Sequence, residues 1–232
     1  MTTLSIIIPV YNEKNTIKRI LKLIEQVELK DIQKEIIIVD DKSTDGTRET
    51  LERLRDKYAI IFKEKNEGKG AAIKQGFLRA SGDIILIQDA DLEYNPNEYS
   101  RLIGPILDGQ ADVVYGSRFI GSEPHRVLFF WHYQGNRLLT HLSNMLSNLS
   151  LTDIETCYKA FNRQALDKIK DKITSKRFGI EPEITALVAK NKLKIYEIGI
   201  SYYGRTYSDG KKITWRDGLA AVYHIVKFNL FK

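Results

Sequence analysis

The sequence predicts an α/β fold in which helices flank a mainly parallel central sheet. Three apolar runs, at residues 4–8, 35–39 and 84–87, each end in a group of polar residues, as buried strands do when they reach a loop. Helical spacing of apolar residues follows the first two runs. The carboxyl ends of parallel strands meet at one edge of a sheet, and open α/β sheets bind ligands there. We therefore expect the three polar groups to form one binding site.

The first strand, Leu4–Ile8, is predicted to stop at the loop Pro9-Val10-Tyr11-Asn12-Glu13. The loop presents Tyr11, whose ring can stack on a nucleotide base, while the Pro9 carbonyl and Glu13 can accept hydrogen bonds. Beyond the loop, apolar residues recur every three or four positions, at Ile17, Ile20, Leu21, Ile24 and Val27. This spacing predicts an amphipathic helix that packs on the sheet.

The second strand, Glu35–Val39, runs into Asp40 and Asp41. A helix is predicted after it, with Leu51, Leu54 and Tyr58 on one face. Asp41 can accept hydrogen bonds from a base or a ribose. Asp40 has two interpretations, because it can contact the ligand or cap the turn that follows.

The third strand, Ile84–Ile87, ends at Asp89-Ala90-Asp91, which places two carboxylates one residue apart. Such hard oxygen ligands suit Mg²⁺ or Mn²⁺, which keep several waters and take other ligands from the phosphates of a substrate. Asp91 is the best candidate for direct ligation, and Asp89 would assist it. Glu93 either supplies a further oxygen or is a solvated loop acid. Alone, the aspartate pair would more often be a polar turn, but two similar strand ends beside it favour a metal site.

Together, the motifs at residues 9–13, 39–47 and 89–91 resemble the nucleotide-sugar-binding signature of family 2 glycosyltransferases, which share the Rossmann-like GT-A fold. Within this family, the sequence is most similar to the polyprenyl-phosphate hexosyltransferases, the group of the dolichol-phosphate mannose synthases. The resemblance extends from Leu4 to about Trp215. Its later parts are Asn66–Ala72, Gly116–Arg118, Asp153–Lys159 and Tyr202–Thr206.

The resemblance implies metal-dependent, inverting transfer of one hexose from GDP-mannose or UDP-glucose to a dolichyl or undecaprenyl phosphate. It implies that Mg²⁺ or Mn²⁺ is held by Asp91 with help from Asp89. Glu93, expected as a further metal ligand, departs from the dolichol-phosphate mannose synthases, which often have Gln at that position, and adds negative charge. The residues expected to bind the nucleotide sugar are Pro9, Tyr11, Glu13, Val39, Asp40, Asp41, Lys69, Asp89, Ala90 and Asp91.

Three residues are expected to act on the departing diphosphate. Asp91 acts through the metal, which stabilises the developing negative charge. Arg118 follows the predicted strand 113–115, where a guanidinium can bridge diphosphate oxygens in a bidentate manner. Arg205 lies in the Gly- and Tyr-rich loop 202–210, just before Lys211-Lys212, and is expected to close over the donor. The alternative for this loop is an ordinary surface loop.

The acceptor determines whether the reaction needs a base. A lipid monophosphate, with a second pKa of about 6, is largely ionised already, so Arg126 and Arg137 would only orient it. A saccharide hydroxyl must lose a proton, and the candidate bases would then be Asp153, Glu155, Glu181 and Glu183. The chain lacks the Gln-x-x-Arg-Trp signature of processive polysaccharide synthases, which argues against polymer synthesis.

Aromatic and basic residues are concentrated at 125–133, and apolar residues continue to Leu149. One or two amphipathic helices are predicted here. Their aromatic face either lies in a membrane interface or packs on the sheet, and a lipid acceptor favours the interface. The segment 218–231 has a similar character. No run of about 20 apolar residues is present, so a peripheral protein on the cytoplasmic, inner face of the membrane is expected.

Composition sets further limits. We expect a GT-A domain over residues 1–212 and an amphipathic helical extension over 213–232. The net charge of +6 is spread along helix faces among 30 acidic residues, which argues against nucleic-acid binding. The single Cys157 excludes an intramolecular disulfide. The first strand lacks the Gly-rich loop of nucleotidyltransferases and the Gly-x-Gly-x-x-Gly of dinucleotide-dependent oxidoreductases. A non-catalytic nucleotide-sugar-binding protein remains an alternative, and the sequence does not predict the oligomeric state.

Overall fold

A computed structural model describes residues 1–121, 124–127, 129–205 and 215–231, the side chains of 215–217 excepted. The strands are β1 Thr2–Val10, β2 Ile32–Asp40, β3 Ala59–Phe62, β4 Ile84–Ile87, β5 Val113–Ser117, β6 Lys159–Asn162 and β7 Ile195–Gly199. The α-helices are α1 Ile17–Gln26, α2 Thr47–Glu52, α3 Lys69–Arg79, α4 Tyr99–Leu107, α5 Phe130–Ser147, α6 Arg163–Ile169, α7 Ile180–Lys190 and α8 Trp215–Val226. Short 3₁₀ turns cover Pro96–Glu98 and Lys170–Lys172, and a π-helical turn covers Lys227–Phe231.

The strands form one sheet in the order β3-β2-β1-β4-β6-β5-β7. Strands β1, β2, β3 and β4 pair in parallel, as do β5 and β7. Strand β6 is antiparallel to both β4 and β5. The predicted mixed, mainly parallel sheet is therefore confirmed. Because β6 runs the opposite way, the loop that precedes it lies at the same edge as the ends of β4 and β5.

Alternate residues of the central strand enter two separate cores. Ile6 and Ile8 of β1 pack with helices α1 and α4, whereas Ile7 packs on the opposite face with α3, α6 and α7. All three isoleucines are fully buried. Burying one such side chain contributes about 1.5–3 kcal/mol, so a strand covered on both faces must be apolar along its length. This explains why the three strands that lead to the site are mainly apolar; the exceptions, Ser5 and Glu35, are hydrogen-bonded to each other.

Helix α3 lies unusually close to β1 because of Gly76. A Cβ atom at Gly76 would come within 2.2 Å of Cγ2 of Ile7, so the packing excludes any side chain there. Gly68, just before the helix, has a φ of +99°, which favours glycine. The two glycines fix the helix so that its first residue, Lys69, faces the end of β4.

Among the elements whose bounds differ from the prediction, strand β1 and helix α2 have clear physical reasons. Strand β1 continues through Pro9 and Val10, because proline lacks only its own donor and the Val10 carbonyl still accepts from Asp41 N at 2.8 Å. Helix α2 ends at Glu52, so Leu54 and Tyr58 lie in the turns that follow. Both side chains nevertheless pack on the core, as predicted.

Helix α5 turns one face to the protein and another to the solvent. Leu139, Leu142 and Leu146 pack on the core, while Trp131, Leu138 and Met145, seven residues apart, are 78%, 66% and 65% exposed. Helix α8 packs against α5 and α7. None of the helices in the described part is both long and apolar enough to cross a bilayer. Leu128, residues 206–214 and the expected boundary at 212 lie outside the described residues.

Candidate active site

Three strand ends meet at one edge of the sheet, as predicted. Strand β1 lies between β2 and β4, and all three run in the same direction. The loops after these strands therefore bring Glu13, Asp41 and Asp91 to one side of the sheet. The loop before β6 and the residue after β5, Arg118, reach the same edge.

Asp89 is paired with Lys69. The Lys69 Nζ lies 2.7 Å from Asp89 Oδ1 and also contacts the sulfur of Cys157. Both charged side chains are mostly buried, at 18% and 14% exposed. Burial alone would lower the pKa of Lys69, but the negative charge of Asp89 raises it well above its ordinary value. Lys69 is therefore a fixed cation at the end of β4.

The Arg205 guanidinium lies among three carboxylates. Its Nη2 is 3.1 Å from Asp91 Oδ2, its Nη1 is 3.5 Å from Glu13 Oε2, and its Nε is 3.5 Å from Glu93 Oε1. The Arg205 backbone N also donates to Glu93 Oε1 at 2.7 Å. Tyr202 holds the other Glu93 oxygen through its hydroxyl at 2.9 Å. Residues separated by nearly 200 positions thus form one charged cluster.

Asp91 has an unusual carboxyl group. Burial, together with the nearby charges of Asp89 and Glu93, raises its pKa to about 7, although the charge of Arg205 acts in the opposite direction. Two like-charged neighbours around a buried carboxylate are unfavourable unless a cation balances them. This surplus of negative charge is typical of a site that binds a cation during its function.

The acidic residues fit a divalent metal that is shared with a substrate. Within the described ranges, no three His, Cys, Asp or Glu side chains converge on one point. The protein alone therefore offers no complete cage in this part of the chain. Mg²⁺ is commonly bound by one or two carboxylates, with waters and substrate phosphates completing its octahedron. Asp89 and Asp91 can provide those carboxylates, while Glu93 is anchored to Tyr202 and Arg205.

The carboxylates of Asp40 and Asp41 have internal partners. The Asp40 carboxylate accepts a hydrogen bond from Ser43 N at 3.1 Å and lies 3.6 Å from the Arg48 guanidinium. These contacts correspond to the alternative in which Asp40 caps the turn. Asp41 binds Lys63 at 2.6 Å and accepts from the backbone N of Gly68 at 2.6 Å. Asp41 therefore shapes the loop that leads to Lys69. Direct contact of either residue with a nucleotide stays a prediction.

Other predicted donor residues differ in their exposure. The Tyr11 ring is 39% exposed at the edge of the sheet, where a base could stack on it. Val39 and Ala90 are buried in the core, so only their backbone groups are available to a ligand. Pro9 lies opposite Val39 in the pairing of β1 and β2. Because proline has no backbone N–H, its carbonyl is the backbone group that could bind a ligand.

Arg118 is anchored by a carboxylate that sequence spacing did not identify as its partner. Its Nε and Nη2 bind the two oxygens of Asp153 at 2.6 and 2.8 Å. Asp153 is fully buried, and Arg118 is 12% exposed. The guanidinium also lies 5.2 Å from the centre of the Tyr202 ring. Arg118 can therefore present only its remaining edge to a diphosphate, and its predicted role stays untested.

The predicted acceptor residues lie on two different elements. Arg126 follows β5, and its guanidinium donates to the Gly204 carbonyl at 3.0 Å. Its backbone N donates to the Tyr202 carbonyl at 2.8 Å, so the segment 124–126 runs beside 202–204. Arg137 on α5 lines a cavity of about 370 Å³. The cavity is lined by Phe119, Tyr133, Arg137, Thr140, His141, Asn144, Leu151 and Thr152.

Three of the four candidate bases are held by other groups. Asp153 is paired with Arg118, Glu181 with the buried Lys159, and Glu183 with the backbone of residues 174 and 175. Glu155 is different, because it forms no ion pair with the described residues; its Oε1, like that of Glu181, is buried without a hydrogen-bond partner among them. Burial, together with the charge of Glu181, raises the pKa of Glu155 to about 7. Among the four, Glu155 alone therefore keeps the character of a base.

Sequence reasoning missed the contacts that hold the charged groups in place. Arg118 pairs with Asp153, and Glu93 pairs with Tyr202. Both partners belong to motifs that carry the family resemblance, but their positions in the sequence do not predict these pairs. Cys157 was considered only for disulfides, although its sulfur contacts Lys69. These contacts join residues 35 to 109 positions apart.

Comparisons with known proteins show the family of this chain. The model of the family described as glycosyl transferase family 2 matches residues 5–170. A UDP-N-acetylglucosamine–dolichyl-phosphate N-acetylglucosaminyltransferase from Methanococcus voltae is 26% identical over 98% of this chain and 96% of its own length. A dolichol-phosphate mannosyltransferase from Pyrococcus furiosus is 37% identical over 50% of this chain and 33% of its own length.

A solved structure shows the same fold. Glucosyl-3-phosphoglycerate synthase from Mycobacterium tuberculosis, crystallised with Mn²⁺, UDP and glucosyl-3-phosphoglycerate, superposes with a TM-score of 0.74. The match covers 98% of this chain and 80% of that protein, at 18% sequence identity. The expected GT-A fold is therefore confirmed.

Proposed function

Because this chain belongs to glycosyl transferase family 2 and is a glycosyltransferase, we propose that it transfers one hexose from a nucleotide sugar to a polyprenyl phosphate. The observation that supports this proposal best is the layout of the sheet edge. Acidic residues suited to a metal lie at the end of β4, and Arg126, a cation suited to a phosphate acceptor, binds the carbonyl of Gly204 next to Arg205. The relatives named above act on dolichyl phosphate or carry dolichol phosphate in their names, which supports the acceptor class.

The donor is a UDP- or GDP-linked hexose in this proposal. Tyr11 is exposed where a base can stack, and the Pro9 carbonyl lies at the end of the same strand. The relative from Methanococcus voltae is named for UDP-N-acetylglucosamine, and the glucosyl-3-phosphoglycerate synthase was crystallised with UDP. UDP-N-acetylglucosamine therefore joins GDP-mannose and UDP-glucose as a donor to be tested.

In the proposed mechanism, Asp89 and Asp91 would hold a divalent ion, which would supply Lewis-acid stabilisation of the leaving diphosphate. The solved neighbours crystallised with Mn²⁺ or Mg²⁺ support such an ion. Lys69, fixed by Asp89, adds a positive charge beside the phosphates. Arg205 supplies a further guanidinium that can stabilise charge as the sugar–phosphate bond breaks.

The acceptor phosphate is proposed to lie between Arg126 and the cavity that contains Arg137. An ionised phosphate oxygen needs no base to attack the anomeric carbon. This agrees with the internal pairing of Asp153, Glu181 and Glu183. If the acceptor were a saccharide hydroxyl instead, Glu155 would be the base, because its pKa of about 7 suits proton transfer near neutral pH.

A direct assay tests the function. The protein is incubated with Mn²⁺, a short polyprenyl phosphate and one of the three donors, and both lipid-linked sugar and free nucleoside diphosphate are measured. We expect one donor to give both products in equal amounts, and excess chelator to stop the reaction. The matched acceptor control is the same polyprenol without its phosphate, which should not react. Transfer to a saccharide but never to the lipid phosphate would contradict the proposed acceptor.

The proposed site of action is the membrane surface, on its cytoplasmic face. Phe129, Phe130 and Trp131 are 42%, 60% and 78% exposed at the start of α5, which supports a membrane interface over the alternative in which this aromatic face packs on the sheet. Contiguous exposed aromatic residues are uncommon on soluble monomers and suit an interface between water and lipid. On α8, Leu219 and Tyr223 are also exposed.

We expect the protein to sediment with anionic phospholipid vesicles. Replacing Phe129, Phe130 and Trp131 together by Ser should release it into the supernatant, because the apolar contact with lipid is lost. Since the rings are exposed, the variant should keep its melting temperature and nucleotide binding. Replacing the exposed Leu78 and Leu107 by Ser, on α3 and α4, is the control and should leave sedimentation unchanged. Failure of the wild type to bind vesicles at any salt concentration would argue for a soluble acceptor.

A further inference from the structure

Both aspartates that are proposed to hold the metal already contact a protein cation. Asp89 contacts Lys69 at 2.7 Å, and Asp91 contacts Arg205 at 3.1 Å. The carboxylates of a metal site shared with a substrate need no such partners in the protein. Their presence means that an incoming divalent ion must compete with a protein cation for each of these two carboxylates.

Arg205 takes the central place in this arrangement. A single guanidinium lies within 3.5 Å of carboxylate oxygens of Asp91, Glu13 and Glu93. The cation is held there, because Glu93 accepts from the Arg205 backbone N and is itself fixed by the Tyr202 hydroxyl. Its side chain is 21% exposed, so a ligand in the cleft can reach it. Arg205 thus stands where positive charge is required and remains accessible to an anion.

We propose that Arg205 is the resident counter-cation of the metal site, which compensates Asp91, Glu13 and Glu93 until metal and diphosphate arrive together. The diphosphate then gives the guanidinium a second anionic partner, and Asp91 becomes available to the metal. Arg205 is in this sense a positioning residue that sets the metal affinity of the site. The inference rests on the proposed use of a metal and a nucleotide diphosphate.

The proposal has a thermodynamic consequence. An ion that must displace a guanidinium binds weakly by itself, whereas an ion that arrives with an anion for that guanidinium binds more tightly. The metal and the nucleotide therefore raise each other's affinity by the same factor, as linkage requires. Couplings of this kind commonly amount to about 5- to 150-fold.

The test measures metal binding without any sugar transfer. Free Mn²⁺ is followed by electron paramagnetic resonance during titration into wild-type protein, first alone and then with saturating UDP or GDP. The same titrations are made with Arg205→Gln and Arg205→Lys. We expect Arg205→Gln to bind Mn²⁺ alone at least about tenfold more tightly than wild type, because Asp91 has lost its competing cation. Arg205→Lys keeps a cation and should resemble the wild type.

The nucleotide provides the second measurement. In wild type, UDP or GDP should tighten Mn²⁺ binding at least about tenfold, and this enhancement should shrink in Arg205→Gln. Arg101→Gln is the control. The Arg101 guanidinium donates to the Gly199 carbonyl and lies 3.9 Å from the carboxylate of Glu98, which is not among the three carboxylates around Arg205. It should leave both titrations unchanged.

Two results would overturn the proposal. The first is tight Mn²⁺ binding by wild type that neither nucleotide improves, a result that needs no variant to fold. The second is folded Arg205→Gln that binds Mn²⁺ no better than wild type. Neither result changes the outcome of the glycosyltransferase assay. If that assay shows no activity, the metal titrations can still be interpreted. The two proposals therefore fail separately.

Discussion

Replacing Asp91 by Asn is expected to lower the rate of sugar transfer roughly 1,000-fold, as removal of a preorganised electrostatic group from an active site does. Asp91 is proposed to hold the metal that neutralises the leaving diphosphate, and an amide is a weaker ligand without charge. Asp89 cannot readily take over this role, because it is tied to Lys69.

The loss should not come from unfolding. Because burial and two like charges raise the pKa of Asp91 to about 7, its ionised form at pH 8 is unfavourable to the folded state. The Asp91→Asn substitution removes that charge, so the melting temperature at pH 8 should not fall. Asp108→Asn, at an exposed position after α4, is the control and should keep full activity. Near-normal turnover of Asp91→Asn, or turnover of wild type in excess chelator, would contradict the metal assignment.

Replacing Arg118 by Ala is expected to have the largest effect on stability. It would leave the carboxylate of Asp153, which is fully buried, without its bidentate partner. Breaking a buried ion pair from one side typically costs about 3–5 kcal/mol of unfolding free energy, because a buried charge remains uncompensated. Urea denaturation at pH 7 would measure this loss.

The double variant Arg118→Ala/Asp153→Asn separates the pair from its parts. With the charge removed on both sides, the loss of unfolding free energy should be clearly smaller than for Arg118→Ala alone. Lys57→Ala, which removes a solvent-exposed ion pair with Glu25, is the control and should change stability little. Equal destabilisation of the single and double Arg118 variants would show that the arginine acts through packing instead of charge.

The fold was predictable because its strands are covered on both faces. A buried parallel strand must be apolar along its whole length, so residues 4–8, 35–39 and 84–87 were visible as strands. Their polar ends could then be placed at one edge. Helix α2 was predicted too long because Leu54 and Tyr58 keep the helical spacing and still pack on the core, although the backbone there has left the helix.

The site was predictable only in its residue types. The sequence predicts that Asp89, Asp91 and Arg205 belong to one site, but it does not predict the contacts between these residues and their partners. Whether a carboxylate faces a ligand or an internal partner depends on residues far along the chain. Asp41, expected to bind a nucleotide, also has internal partners in Lys63 and the backbone of the following loop. Such pairing results from tertiary structure, and no local pattern encodes it.

The segments 124–126 and 202–204 run side by side, and this has a kinetic consequence. Tyr202 exchanges backbone hydrogen bonds with Pro124 and Arg126, and Arg126 also binds the Gly204 carbonyl next to Arg205. We therefore expect that a shift of Arg205 toward a departing group displaces the segment 124–126, which carries Arg126. The donor and acceptor sides of the site would then move together. Initial-rate plots for donor and acceptor should intersect, and futile hydrolysis of the donor by water should stay slow until the acceptor is in place.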